Sequence, residues 1–173
     1  PTTPLMQRER GLVAFSNVMS QSNTTHKSVP MLLSAASATD YDRIYREKGI
    51  IEAFKEAGFH TTFISNQLPN HSFIDFFGEE ADDWTFIKEH SKEGANTPDE
   101  EMLTILNKVL AKNRKRELIM LHCYGSHFNY RERYPRSEAF FRPDDASEAK
   151  ASNRQQLVNA YDNSIRQTDR LLH

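Results

Sequence analysis

A layered α/β fold, a sheet with helices on both faces, is what this sequence predicts, and three observations predict it. A helical pattern over residues 42–57 stops at Gly58, and His60-Thr61-Thr62-Phe63-Ile64-Ser65, rich in β-branched and aromatic residues, follows as a strand. A second helical stripe, Met102, Ile105, Leu106, Val109 and Leu110, is followed by the unbroken apolar run Leu118-Ile119-Met120-Leu121. The chain has 173 residues, 38% of them hydrophobic and 27% charged, which is the composition of one globular domain. Strands alternating with amphipathic helices bury their apolar sides most simply as helices packed on a parallel sheet.

Taken in order, Leu12-Val13-Ala14-Phe15 is a short apolar run and predicts a buried strand, turning at Ser16-Asn17-Val18. Residues 20–29 are almost all polar. Proline suits a first helical turn better than an interior, so Pro30 predicts a helix starting near Lys27 to Val29. Ile44, Ile50, Ile51, Phe54 and Ala57 share helical spacing in the 42–57 segment. In the 66–96 stretch Asn66, Pro69 and Asn70 are loop residues, and Phe73, Ile74, Phe76 and Phe77 have no decisive period. The acidic run Glu79, Glu80, Asp82 and Asp83 reads as a solvated face or loop rather than a metal site. Thr97-Pro98-Asp99-Glu100 predicts a helix start with Thr97 as N-cap, Pro98 at N1 and Glu100 closing a capping box. The basic cluster Lys112 to Arg116 complements the dipole at that helix's other end. Leu118–Leu121 is expected to be buried on both faces of a parallel sheet. Residues 128–151 form an irregular polar excursion. Ser152 is placed to cap a last helix with Leu157, Ala160, Tyr161, Ser164, Ile165, Thr168 and Leu172 along one side.

Charge and composition exclude several functions. With 22 Lys plus Arg against 24 Asp plus Glu, the net charge of −2 is wrong for a strongly basic nucleic-acid binder. Apolar runs stop at four residues, against the roughly 20 needed to span a bilayer. A single cysteine, Cys123, forms no internal disulfide and no multi-cysteine zinc site; it reads as a small buried or half-buried side chain. In α/β sheets chemistry gathers beyond the carboxyl ends of strands, so residues 16–29 and 122–134 are the segments to search. The first offers Ser20, Ser22, Thr24, Thr25 and Ser28 just before a helix, where a hydroxyl is either an N-cap or a nucleophile. The second holds His122 and His127, each open to a structural, metal-binding or phosphate-binding reading.

Phe15-Ser16-Asn17-Val18, Ser20 and Thr25-His26-Lys27-Ser28-Val29-Pro30 resemble the nucleophile segment of bacterial phosphoethanolamine transferases, sulfatase-like members of the alkaline phosphatase superfamily. The family pattern F-x-N-V-x-S, a spacer, then T-x-x-S-V-P puts the nucleophile on Thr25, not Thr24. Leu121-His122, Gly125-Ser126-His127 and Arg133-Tyr134-Pro135 resemble its L-H-x-x-G-S-H-G-P…R-Y-P segment, with His127 in place of the histidine that contacts the phosphoryl group or a second zinc. Ala160-Tyr161-Asp162-Asn163-Ser164 and Thr168-Asp169 are similar to its Y-D-N-(S/T)-I-x-x-T-D helix, read here as a packed support. Ile64-Ser65-Asn66-Gln67 resembles the loop that presents polar groups to the donor head group, and Thr2-Thr3-Pro4-Leu5 the T-x-P segment after the first metal motif. Phe128-Asn129 departs from the family's Gly-Pro, and His122 reads as structural.

The resemblance implies an alkaline phosphatase-like three-layer α/β/α sandwich, present here as a fragment, with residues 1–173 an internal part of the catalytic domain. It implies zinc-assisted transfer of phosphoethanolamine from phosphatidylethanolamine to a lipid A or other glycan hydroxyl through a phosphothreonine intermediate. Thr25 and His127 are then catalytic, Asn66, Gln67 and His127 bind substrate, and Thr25 is a zinc ligand. The enzyme is expected on the inner membrane of a Gram-negative bacterium with its catalytic domain in the periplasm. The chain starts at Pro1, and the family's G-E-S and D-H-G-E ligand motifs do not occur in it; they are expected before Pro1 and after His173. The chain alone is therefore expected to be inactive, and to self-associate through sheet edges left unpaired. The alternatives are a related phosphoglycerol transferase, a sulfatase-type hydrolase, disfavoured because Thr25-His26-Lys27-Ser28 lacks a C/S-x-P-x-R context, or a non-catalytic α/β module.

Overall fold

Three parallel strands carry the architecture of a computed structural model that describes residues 1–90, 96–146 and 148–173, without the side chain of His90. The chain divides into two compact units. One holds Phe15–Cys123 apart from the segment around 94–100; the other holds that segment's described part with Pro1–Ala14 and Tyr124–His173.

The first unit contains helix α1 (Thr25–Leu33), α2 (Ile50–Glu56), strand β1 (His60–Ser65), α3 (Phe73–Gly78), β2 (Asp83–Phe86), α4 (Glu101–Leu110) and β3 (Glu117–His122). The strand order is β2-β1-β3, every pair parallel, with Ser65 facing Phe86 on one side and His122 on the other. The step from β1 to β2 and the return past β1 to β3 run in opposite directions. Right-handed crossovers then place α3 and α4 on opposite faces, the layered arrangement the sequence predicts.

Alternation along the strands divides the core. Phe63 joins Ile51, Ile74, Ala81 and Phe86 in one cluster, with Leu118 and Met120 packed against it. Met31, Leu33, Ala36, Ile44 and Phe77 form a second, also touching Met120. Each Ile, Leu, Met or Phe side chain among these contributes roughly 1.5–3 kcal/mol when fully buried. Ile64, pointing the other way, is equally buried, and α4 packs on β1 through its buried Met102 and Val109. Central β1 is buried from Thr61 onward, whereas β3 is half-buried throughout, because it lies at an edge of the described sheet rather than inside it.

Several sequence expectations are corrected. Leu12–Phe15 forms no strand, and Val13 and Phe15 are 73% and 81% exposed: no neighbouring strand pairs with them among the described residues. Helix α1 starts at Thr25 and holds Pro30 in its interior. The proline lacks the N–H that would bond the His26 carbonyl, and the Tyr41 hydroxyl donates to that carbonyl instead, at 3.2 Å. The helix expected over 42–57 is a 3-10 turn at Tyr41–Tyr45 followed by α2. Gly49 breaks it and caps α2, its N–H donating to the Glu80 carboxylate at 2.8 and 3.0 Å. That acidic run is not merely solvated. Glu80 is half-buried, and desolvation pushes its pKa up against those backbone bonds; Asp82 accepts from the Thr61 N–H at 2.9 Å; Asp83 opens β2. Helix α4 starts at Glu101, not at Pro98.

The second unit is mostly the irregular 128–146 excursion, with 3-10 turns at Tyr130–Arg133 and Arg136–Glu138, gathered on α5 (Arg154–Leu171). The last helix begins after a 3-10 turn at Ala151–Asn153, and its buried residues are Asn159, Ala160, Asn163, Ser164 and Asp169. Tyr161 and Leu172, expected on the packed side, are exposed. The buried side of α5 is polar because its partners are loop backbone groups, not other apolar side chains.

Candidate active site

The approach to α1 orders its hydroxyls among themselves. Ser20 Oγ donates to the Ser22 carbonyl at 2.7 Å, the Thr24 N–H donates to Ser22 Oγ at 3.3 Å, and Ser22 Oγ lies 3.4 Å from Thr24 Oγ1. Thr24 is the N-cap by backbone, its carbonyl accepting from the Lys27 and Ser28 N–H groups at 3.1 and 2.9 Å. Thr25, the first helical residue, is exposed, and among the described residues its hydroxyl takes no side-chain hydrogen bond. A free hydroxyl at a helix N-terminus sits where unpaired N–H groups and the helix dipole favour negative charge.

At the carboxyl end of the sheet, β1 and β3 bring together Ser65, Asn66, Gln67 and His122. The Asn66 N–H donates to the His122 carbonyl at 2.9 Å, continuing the β1–β3 ladder one residue past the strand. Gln67 Nε2 lies 3.3 Å from His122 Nε2, and Ser65 Oγ 3.0 Å from His122 Nδ1. An amide NH2 donates, so Nε2 accepts and Nδ1 carries its proton toward Ser65. The ring also stacks on Phe63, with centroids 6.1 Å apart. His122 is thus held by Ser65, Gln67 and Phe63 within its own unit. Asn66 is fully buried; Gln67, partly exposed, is the outer of the two.

His127 belongs to the other unit and is exposed. Its Nδ1 lies 2.5 Å from the Phe128 carbonyl, an acceptor only, so the Nδ1 proton points there and Nε2 is turned away from it. The ring leans on Tyr124 at 4.8 Å between centroids. The turn before it is held by Asp99, whose carboxylate accepts from the Tyr124 and Gly125 N–H groups at 2.8 Å each. Gly125 has φ +57°, in the left-handed region that favours glycine. Sequence reasoning missed this use of Asp99, because Thr97-Pro98-Asp99-Glu100 reads locally as a cap and nothing in it marks a partner 25 residues away.

The remaining resembling segments bind one another. Tyr134 donates to Asp144 at 2.6 Å, and Arg131 lies over its ring at 4.8 Å. Burial first, and then the Asp144 bond, push the Tyr134 pKa up to about 12. Asn163 accepts from the Phe140 and Phe141 N–H groups at 3.0 and 2.9 Å and donates to Phe141 O at 2.9 Å. Asp169 accepts from the Leu5 and Met6 N–H groups at 2.9 Å each. The α5 segment is the packed support expected of it.

Among the described residues no group of three or more His, Cys, Asp or Glu side chains gathers to hold a metal, so the donors present do not make a zinc site by themselves. Cys123 is half-buried and in no disulfide.

The model of the family described as sulfatase matches residues 1–173. The chain belongs to the sulfatase family. Within that family it is similar to a Kdo(2)-lipid A phosphoethanolamine 7''-transferase of Escherichia coli K12, 30% identical over 99% of this chain and 31% of the relative. It superposes on the integral membrane protein lipooligosaccharide phosphoethanolamine transferase A (EptA) of Neisseria meningitidis with a TM-score of 0.82 at 30% identity, over 98% of this chain and 32% of that one. The C-terminal periplasmic domain of EptC from Escherichia coli, solved in complex with Zn, gives a TM-score of 0.85 at 22% identity, over 99% of this chain and 50% of that domain. The two solved structures together carry the alkaline phosphatase-like α/β architecture that the resemblance implies. The sulfatase-family chain thus spans 31% of its curated relative and half of the solved periplasmic domain.

Proposed function

We propose that residues 1–173 are an internal part of the catalytic domain of a phosphoethanolamine transferase, with Thr25 as its nucleophile. The observation that carries the reading is the exposed, uncommitted Thr25 hydroxyl on the first turn of α1, in a chain whose relatives are named for this transfer. Thr25 Oγ attacks the phosphorus of phosphatidylethanolamine; the P–O bond to diacylglycerol breaks and the leaving oxygen takes a proton. A hydroxyl of lipid A or another glycan then attacks the phosphothreonine phosphorus, and Thr25 leaves as the free hydroxyl. The first-turn N–H groups of α1 face the charge that builds on the phosphoryl oxygens. His127, with Nδ1 committed to the Phe128 carbonyl, offers Nε2 to those oxygens or to the leaving group's proton. Gln67, and Asn66 behind it, belong to the loop that meets the donor head group. Zinc bound at Thr25 would lower the pKa of its hydroxyl, with the remaining ligands supplied from outside these residues. The EptA and EptC relatives support an inner-membrane enzyme with a periplasmic catalytic domain. Among the described residues no helix is long and apolar enough to cross a membrane.

The test is a trapping experiment on the full-length enzyme. Incubated with phosphatidylethanolamine and no acceptor, it should gain the mass of one phosphoethanolamine unit on the peptide containing Thr25, and T25A should lose both adduct and transfer. An adduct on Thr24, or transfer retained by T25A, overturns the assignment. An adduct formed only from a phosphoglycerol donor favours the phosphoglycerol transferase reading.

A further inference from the structure

Asp99 bonds the backbone of a turn 25 residues along the chain. Both oxygens of its carboxylate are occupied by two consecutive backbone N–H groups, those of Tyr124 and Gly125, at 2.8 Å each. Consecutive N–H groups turned to one side by a left-handed residue, here Gly125 at φ +57°, form a concave anion site. In this fold the anion filling it is a side chain of the same unit. Charge-assisted bonds of this kind are roughly twice as strong as neutral ones, so the turn is fixed in both position and orientation.

What the turn carries is Tyr124, whose ring supports the His127 ring at 4.8 Å. The same Tyr124 ring has the Arg133 guanidinium over it at 4.4 Å. Arg133 is itself held by the Asn129 carbonyl at 3.2 Å, Asn96 Oδ1 at 3.1 Å and Glu132 at 3.0 Å. His127 is exposed, and its own ring bond runs to the adjacent residue's carbonyl, which does not anchor it to the rest of the unit. Its position therefore depends on Tyr124, and the backbone of Tyr124 depends on Asp99.

We propose that Asp99 is a positioning residue for His127, acting through the Tyr124–Gly125 turn. The proposal rests on the role given to His127 above. It makes Asp99 part of the machinery through the backbone turn that its carboxylate holds. Asparagine at this position keeps one acceptor oxygen and loses the second bond; glutamate keeps two oxygens on a longer stem.

The test uses the full-length enzyme with D99N, D99E, H127A and the D99N/H127A pair. Misplacing a catalytic group by about 1 Å costs on the order of 100-fold, so D99N should lower kcat by about 10- to 100-fold. KM for phosphatidylethanolamine should stay within about twofold, D99E should recover part of the rate, and the double variant should be no slower than H127A alone. An unchanged kcat, or losses that multiply in the double variant, overturns the proposal. A second readout is the rate at which diethyl pyrocarbonate modifies His127, followed by peptide mass. A severalfold change between wild type and D99N is expected, and equal rates overturn the proposal. If H127A keeps full activity, the role of His127 in transfer fails, and the modification rates still decide whether Asp99 positions it. Matching circular dichroism for D99N excludes a general loss of fold as the cause.

Discussion

At the scale of single residues, Tyr134 makes the sharpest statement. It is buried, donates to Asp144 at 2.6 Å and lies 3.3 Å from Asn163 Nδ2, and its pKa is pushed up to about 12 by desolvation first and that bond second. A folded-state pKa above the unfolded value near 10 means the native state holds the phenolic proton more tightly. The stability this provides is complete below pH about 10 and is lost as pH rises toward 12. Y134F should cost about 1.5–3 kcal/mol at neutral pH, since a bond to a charged acceptor is lost. It should also flatten the fall in stability between pH about 10 and 12, read by urea midpoints across that range. A fall as steep as wild type would show that another group governs the alkaline limb. Arg133-Tyr134-Pro135 was legible in the sequence as a motif, but the role of Tyr134 was not, because its partners Asp144 and Asn163 lie 10 and 29 residues away.

At the scale of elements, β1 and β3 form where alternation and apolar runs predict, and Gly58 ends its segment with φ +79°. Those signals are local, and tertiary contacts reinforce them. The misreadings share one cause: tertiary partners, present or missing, decide against a local preference. Pro30 is tolerated inside α1 because Tyr41 serves the carbonyl it leaves bare, and Asp-Trp-Thr-Phe becomes β2 because β1 offers a ladder beside it. Leu12–Phe15 has the composition of a strand and, among the described residues, no such ladder. Of the proposed site, the family resemblance marks Thr25 and the Asn66–Gln67 loop after β1; the Asp99 bonds carry no such mark, since a side chain that accepts from backbone N–H groups leaves no signature in side-chain pattern. Where α3 meets β1 there is no room for an added side chain at Gly78. A Cβ on Gly78 would stand 2.5 Å from Phe63 Cε1, in a ring that is itself fully buried. G78A should therefore destabilise the chain by about 1–3 kcal/mol with no change in unfolding slope, measured by urea titration. A neutral effect would mean the ring can move aside.

For the molecule as a whole, the donor set decides what the chain does by itself. Thr25 is one oxygen, and no cluster of three metal-ligating side chains exists among the described residues. Tight zinc sites use about four ligands, three of them from protein in catalytic cases. Residues 1–173 alone should show no stoichiometric zinc uptake by calorimetry and no phosphodiester turnover. Stoichiometric zinc with turnover would place the full metal site within this chain. The same outcome would remove the reason for seeking the remaining ligands elsewhere in a sulfatase-family enzyme of which this chain spans 31% in its curated relative.

The polar inner side of α5 has a consequence for how its unit tolerates change. Apolar surfaces slide: a leucine stripe shifted by one position still finds something oily to touch. Asn159, Asn163 and Asp169 instead hold the Pro143 carbonyl, the Phe140 and Phe141 N–H groups, and the Leu5 and Met6 N–H groups, each through bonds with a fixed direction. Adding or removing a single residue between them would turn Asp169 about 100° away from its two donors and leave them stranded. The helix works as a keyed spindle. Loops may lengthen around it, but the ten-residue distance from Asn159 to Asp169 is a fixed measure of the unit.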